Sequence, residues 1–141
     1  MYRLRTSAVI VHNQRILCFK AKDPFDHREF TFLPGGKIED NESAVEAAVR
    51  ETLEETGFDI TIIPESCIDV DYDFYWNGET YQCTTLFYWG KLNSPFPRNR
   101  NIQDASYHQG VVWVPVEEVD QVFAYSEAIL KSIKALIQAN S

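Results

Sequence analysis

The stretch Leu33–Phe58, LPGGKIEDNESAVEAAVRETLEETGF, constrains this chain more than any other. A glycine loop feeds a short helix whose far end is crowded with carboxylates. Ser43 with Glu46 three residues on forms a capping box, which makes Ser43 the expected N-cap. Gly57 is the expected stop, since glycine tolerates the left-handed conformation that ends many helices. At 100° per residue Val45, Val49, Thr52 and Leu53 share one arc and are expected to face the core. Ala44, Ala47, Ala48 and the acids Glu51, Glu54 and Glu55 fall opposite.

That placement breaks two local rules. Glu51, Glu54 and Glu55 occupy i, i+3 and i+4, so they repel by roughly 0.2–0.5 kcal/mol per exposed pair, and more if partly buried. Glu54 and Glu55 also sit in the last turn, where the helix dipole already presents negative charge. No cation is expected among their immediate helix-face neighbours. A divalent ion removes the conflict, and hard carboxylate oxygens suit Mg²⁺ or Mn²⁺. The competing reading is a solvated acidic face. The glycine loop at a fixed distance upstream favours the metal.

Gly36, five residues, Glu42, seven residues, then Arg50-Glu51-Thr52-Leu53-Glu54-Glu55-Thr56-Gly57-Phe58 resembles the signature of the Nudix hydrolases. Every fixed position is filled; Thr52 stands where an aliphatic residue is usual, at a position that only packs. The resemblance implies that Glu51, Glu54 and Glu55 are metal ligands, with the Gly36 carbonyl a further one. It implies that Arg50 and Glu42 form a structural ion pair holding the loop to the helix. It also implies an α/β/α sandwich with a mixed β-sheet, the box helix on one face and the C-terminal helix on the other.

Composition bounds the remaining choices. A chain of 141 residues suits one domain over 1–141, long enough to bury about two-thirds of its unfolded surface. Its formal charge of −8 argues against nucleic acid or an anionic membrane as partner. A polyphosphate is anionic too, so binding one calls for a metal or a local basic patch. Cys18, Cys67 and Cys83 are odd in number and lack CxxC spacing, which reads as reduced thiols in a cytoplasmic protein. No apolar run approaches the roughly 20 residues of a membrane span.

Along the chain, Arg3–Val11 and Ile16–Phe19 flank the polar turn His12–Arg15 and predict a hairpin. Phe30–Leu33 is a brief strand leading into the glycine loop, with Arg28 just upstream a candidate contact for substrate phosphate. Phe58–Ile62 alternates as a strand and is expected to end at Pro64. Around Asn77-Gly78, the strongest two-residue turn signal, Phe74 is expected opposite Tyr81, Tyr72 opposite Cys83 and Val70 opposite Thr85. One face of that hairpin is aromatic and the other acidic. Asp69, Asp71 and Asp73 mimic the opening of a calcium loop, but Phe74 and Thr80 replace its glycine and glutamate, so that reading fails. Lys91–Gln109 is a long connection carrying Arg98 and Arg100, further candidates for substrate contact. Val111–Val114 reads as a buried strand, Pro115 as the start of a short helix. Ser126–Ala139 reads as an amphipathic helix with Ile129, Ile133, Leu136 and Ile137 on one stripe.

The expected function is a metal-dependent pyrophosphohydrolase, cleaving a nucleoside diphosphate linked to a moiety X into a nucleoside monophosphate and phosphorylated X. Glu51, Glu54 and Glu55 would carry the catalysis. Many members of the family place another acid a few residues before the strand at Val111. This chain has His108-Gln109-Gly110 there, with Asp104 the nearest acid, so the general base is a box glutamate, Asp104 or His108. That departure sustains an alternative: a Nudix-fold module that binds a nucleotide without turning it over. A third reading, an interaction domain with a solvated acidic face, conflicts with the glycine-loop spacing. The partner is a small nucleotide derivative; the identity of X and the oligomeric state are left open.

Overall fold

The computed structural model describes residues 1–99 and 107–140. Its elements are β1 (Tyr2–His12), β2 (Arg15–Lys22), β3 (Glu29–Phe32), β4 (Gly35–Lys37), α1 (Ala44–Thr56), β5 (Ile60–Trp76), β6 (Glu79–Leu92), β7 (His108–Pro115), α2 (Val119–Val122) and α3 (Glu127–Asn140). A 3-10 turn, Val116–Glu118, follows Pro115 and precedes α2. The strands run in the order β3-β2-β1-β6-β5, with β4 added to β1 and β7 added to β2. All pairings are antiparallel except β1 with β6, so the sheet is mixed.

Period-two alternation sorts the strands onto two cores. Val9, Ile16, Cys18, Phe87 and Val114 pack with Ile129, Ile133 and Leu136 of α3. Ala8, Ile10, Leu17, Ile60, Ile62 and Tyr88 pack with Ala48 of α1. The helices therefore cover opposite faces, the α/β/α sandwich expected. Among the described residues no helix is long and apolar enough to cross a membrane.

Two expectations need correction. In α1 the buried residues are Ala47, Ala48, Thr52 and Thr56; Val45 and Val49 pack at the edge and Leu53 is half-buried. The alanines bring the helix close to the sheet, where the Thr6 hydroxyl donates to the Ala44 carbonyl at 3.0 Å. Thr52 and Thr56 are buried at no polar cost because each donates to a carbonyl one turn back, at 2.7 and 2.6 Å. Pro64 does not end a strand. β5 continues through it because the register with β6 shifts between Ile63 and Ile68, an irregularity that admits a residue with no N–H.

The remaining long-range pairing follows the expected register. Phe74 faces Tyr81, Tyr72 faces Cys83 and Val70 faces Thr85, with Asp69, Asp71 and Asp73 exposed. The hairpin tip is tied down by buried Asp23. Its Oδ2 accepts the Asn77 N–H at 2.9 Å and its Oδ1 the Phe25 N–H at 2.7 Å. Of β7, only Val114 is buried. In α3 Ile129, Ser132, Ile133 and Leu136 are buried and Ile137 is half-buried.

A candidate active site between the glycine loop and the acidic helix end

The capping box forms as the sequence predicts: the Glu46 N–H donates to Ser43 Oγ at 3.0 Å and the Ser43 N–H to Glu46 Oε1 at 2.8 Å. At the other end Gly57 has φ 82° and its N–H donates to the Leu53 carbonyl. These caps fix the rotation of α1, and rotation decides which acids face inward. Glu51 and Glu55, one turn apart, lie on the side facing β4; Glu54 is turned out and half-exposed.

Glu55 is held by the glycine loop, its Oε1 accepting the Gly35 N–H at 2.8 Å. Burial, then the neighbouring Glu51 charge, push its carboxyl well above the usual range, against the Gly35 bond and the more distant Arg5 charge. Burial also raises Glu51, with the adjacent Arg50 opposing. The Glu51 carboxylate rests directly on Gly36: a methyl group there would sit 2.6 Å from its carboxyl carbon. Gly36→Ala is therefore expected to displace that carboxylate and lower turnover by about 100-fold, the scale of a misplacement near 1 Å. Steady-state kinetics beside a melting curve checks this; a normal rate in a folded variant would show that Glu51 need not sit there.

Arg50 organises the acids. Its Nε and Nη2 donate to Glu42 at 2.7 and 2.9 Å, and Nη2 also reaches the Lys37 carbonyl at 3.1 Å. The expected loop-to-helix pair is thus present. Nη1 additionally donates to Glu51 at 2.8 Å and to Glu54 at 3.3 Å. This corrects the expectation that the acids lack a nearby cation: the guanidinium folds back over its own helix neighbour. With Glu54 drawn onto Arg50, no group of three or more His, Cys, Asp or Glu among the described residues is poised as a ready-made cage.

His108 is committed elsewhere. Its ring stacks on Phe19 at 4.7 Å and 1°, its Nδ1 accepts the Gly110 N–H at 3.1 Å, and its Nε2 lies 2.9 Å from the Glu55 carbonyl. With Nδ1 accepting, Nε2 carries the proton and donates to the helix end.

Above Glu51 and Glu55 opens a cavity of about 330 Å³. One wall is aromatic, with Phe74 and Trp76 from β5 meeting Phe32 and Tyr107; the Trp76 ring lies 5.5 Å from each of those two. Arg3, Arg5 and Lys37 line the cavity as well. Neither Arg28 nor Arg98 lines it: Arg28 lies over the Phe30 ring at 5.0 Å, and Arg98 faces Asp59 at 3.7 Å, two-thirds exposed. Arg100 and Asp104 fall outside the described residues. The cavity cations went unmarked in the sequence, although Arg3 and Arg5 alternate with Tyr2 and Leu4 and so must share one face of β1.

Comparison with known proteins decides the family, for the NUDIX domain model matches residues 1–136. The chain belongs to the Nudix family of hydrolases. A Bacillus subtilis (strain 168) protein provisionally assigned as an 8-oxo-dGTP diphosphatase is 46% identical over 54 residues, 38% of this Nudix chain and 34% of the relative. The match thus spans about a third of that protein. A Nudix hydrolase from Nitrosomonas europaea superposes with a TM-score of 0.72 at 21% identity, covering 99% of this chain and 90% of that one. The C. elegans Ap4A hydrolase gives 0.69 at 23% identity, covering 97% and 98%. At these identities the two structures establish the Nudix fold.

Proposed function

We propose that this Nudix hydrolase is a metal-dependent pyrophosphohydrolase, releasing a nucleoside monophosphate and phosphorylated X from a nucleoside diphosphate linked to X. The observation that carries it is the half-buried pair Glu51 and Glu55 against Gly35-Gly36, on the floor of a cavity with one aromatic wall. The donor set fits a hard divalent cation: two neighbouring carboxylates, Glu51 sharing Arg50 with Glu42 and Glu54, and Glu55 with no ion-pair partner among the described residues. Glu51, Glu55 and the Gly36 carbonyl would hold Mg²⁺ or Mn²⁺, with Glu54 able to join by leaving Arg50. Such an ion supplies charge neutralisation at the phosphoryl oxygens and a more acidic water.

The chain's own groups do the rest. Phe74, Trp76 and Phe32 offer flat apolar faces on which a nucleobase can stack. Arg50 holds Glu51 in orientation, and Gly35 does the same for Glu55. We assign the general base to a box glutamate, because both ring nitrogens of His108 are already occupied. His108→Gln is accordingly expected to keep a near-normal pH–rate profile. A loss of about 100-fold, the usual scale for a general base, would move the base into the loop. The 8-oxo-dGTP assignment of the Bacillus relative is consistent with a nucleotide derivative as substrate, and the free thiols Cys18, Cys67 and Cys83 suit a cytoplasmic setting.

The deciding experiment is a panel of nucleoside diphosphate derivatives with Mg²⁺ and identification of both products. Release of a nucleoside monophosphate is the expected result. Binding without turnover across the panel would make the protein a nucleotide-binding module instead.

A further inference from the structure

The basic residues lining the cavity repeat, with opposite sign, the conflict seen on α1. Arg5 and Lys37 are directly opposed across the antiparallel β1–β4 pair, a position where like charges destabilise a sheet. Arg3 lies two residues before Arg5 on the same strand, and its guanidinium lies 3.5 Å from the centre of the Tyr81 ring. All three line the cavity. The chain holds only 13 Lys and Arg against 21 Asp and Glu. Even so, among the described residues none of these three cations has a carboxylate within ion-pair distance. Arg5 is half-buried and has no side-chain hydrogen-bond partner there. An unpaired, half-buried cation opposed by a like charge is a local fault that an anion removes.

The nearest acids do not supply that anion. Glu51 and Glu55 are the groups proposed to hold a divalent ion, and their charge is then spent. Counting the ionised groups lining the cavity, three cations less two carboxylates leave +1; a divalent ion makes it +3. A nucleoside triphosphate, near −4 at neutral pH, balances this better than a nucleotide sugar near −2. The tethering of Arg3 on Tyr81 also matters, because an immobilised guanidinium loses less freedom when it grips an oxyanion.

We propose that Arg5, backed by Arg3 and Lys37, is an anion site that reads a phosphate on X and so sets substrate choice. The preferred substrates are those in which X is itself phosphate or a phosphate chain, as in nucleoside triphosphates, over those in which X is a neutral sugar. This rests on the hydrolase reading for its catalytic part, and the site's affinity for an oxyanion is independent of turnover.

The test has two arms. In EDTA, calorimetry with inorganic tripolyphosphate compares wild type, Arg5→Met, Arg5→Lys, Arg3→Met and, as a surface control, Arg15→Met. Arg5→Met is expected to lose about ten-fold or more in affinity, the scale of a lost charge-assisted hydrogen bond. Arg5→Lys should fall between it and wild type, and Arg15→Met should match wild type. In Mg²⁺, the ratio of kcat/KM for a nucleoside triphosphate over that for a nucleotide sugar should drop by about ten-fold in Arg5→Met. Should Arg5→Met fail to fold, Arg5→Lys and Arg3→Met carry the same comparison. Undiminished tripolyphosphate affinity in the folded Arg variants, or an unchanged substrate ratio, overturns the proposal while leaving the hydrolase reading intact. Arg5-dependent tripolyphosphate binding with no turnover of any derivative sinks the hydrolase reading and leaves the anion site standing.

Discussion

Glu55→Gln is expected to melt above the wild-type protein in metal-free buffer, yet to lose both turnover and the stabilising response to Mg²⁺. The amide keeps an oxygen for the Gly35 N–H and removes a half-buried charge that has no partner of equal strength. The pH dependence has a definite sign. A carboxyl raised above its unfolded value contributes stability that is complete below that unfolded value and is lost as pH rises through the raised one. The gap between variant and wild type should therefore widen toward alkaline pH and close in acid. Added Mg²⁺ should reverse the order. Binding to the folded state alone at a hundred times Kd stabilises by about 2.7 kcal/mol, roughly 10 °C in a domain of this size. Turnover should fall by at least about 100-fold. Melting curves of both proteins with and without metal decide the matter. An equal Mg²⁺ shift in the two would remove Glu55 from the ion's ligands.

Arg50→Ala has the second-largest expected effect, and it acts through structure. The guanidinium serves Glu42, Glu51, Glu54 and the Lys37 carbonyl at once, so its loss leaves Glu42 and Glu51 uncompensated. Because its side chain is 29% exposed, water screens part of the loss; about 1–3 kcal/mol is expected, short of a fully buried pair. Turnover should fall about 100-fold as Glu51 loses its orientation. Arg50→Lys cannot restore the fork that meets both Glu42 oxygens and should recover only part of either. A pH signature accompanies this. The bonds from Arg50, and then the Glu39 N–H, hold the Glu42 carboxyl down at about 2. A depressed carboxyl contributes stability present above its unfolded value near 4.5 and lost as pH falls toward 2. That part of the acid limb should flatten in Arg50→Ala. Activity lost with melting temperature and Mg²⁺ affinity both unchanged would instead make Arg50 a direct participant in catalysis.

How much of this was legible in the sequence depends on how local each determinant is. The capping box at Ser43 and the stop at Gly57 are set by residues three or four apart, and both were readable. So was the register around Asn77-Gly78, because a two-residue turn leaves only one pairing. The core face of α1 was readable only in part. The predicted arc of Val45, Val49, Thr52 and Leu53 was right for buried Thr52, but it left out Ala47 and Ala48, the small residues that let the helix approach the sheet. Pro64 misled because a strand can carry proline at a bulge, which depends on a partner strand far along the chain. The cavity cations were hidden for a related reason. Arg3 and Arg5 meet Cys83 and Thr85 through a parallel pairing, across some 80 residues of sequence, and no turn signal announces it. His108 was marked as a candidate for chemistry, but its stacking on Phe19 and its bond to the helix end emerge only in three dimensions.

The tie between Asp23 and the hairpin tip has a mechanical consequence. Phe74 and Trp76 ride on a two-stranded ribbon rooted in the sheet at one end and pinned at Asn77 at the other. The floor, with Glu51 and Glu55, belongs to α1, which rests on the root of this ribbon at Ile60 and Ile62 and not on its tip. The aperture of the cavity therefore has its own adjusting screw. Altering the Asp23 loop or the Asn77-Gly78 turn shifts one jaw of a vice while the anvil stays still. Tolerance for bulky or slender ring systems can drift by such changes without any cost to the groups that break the bond.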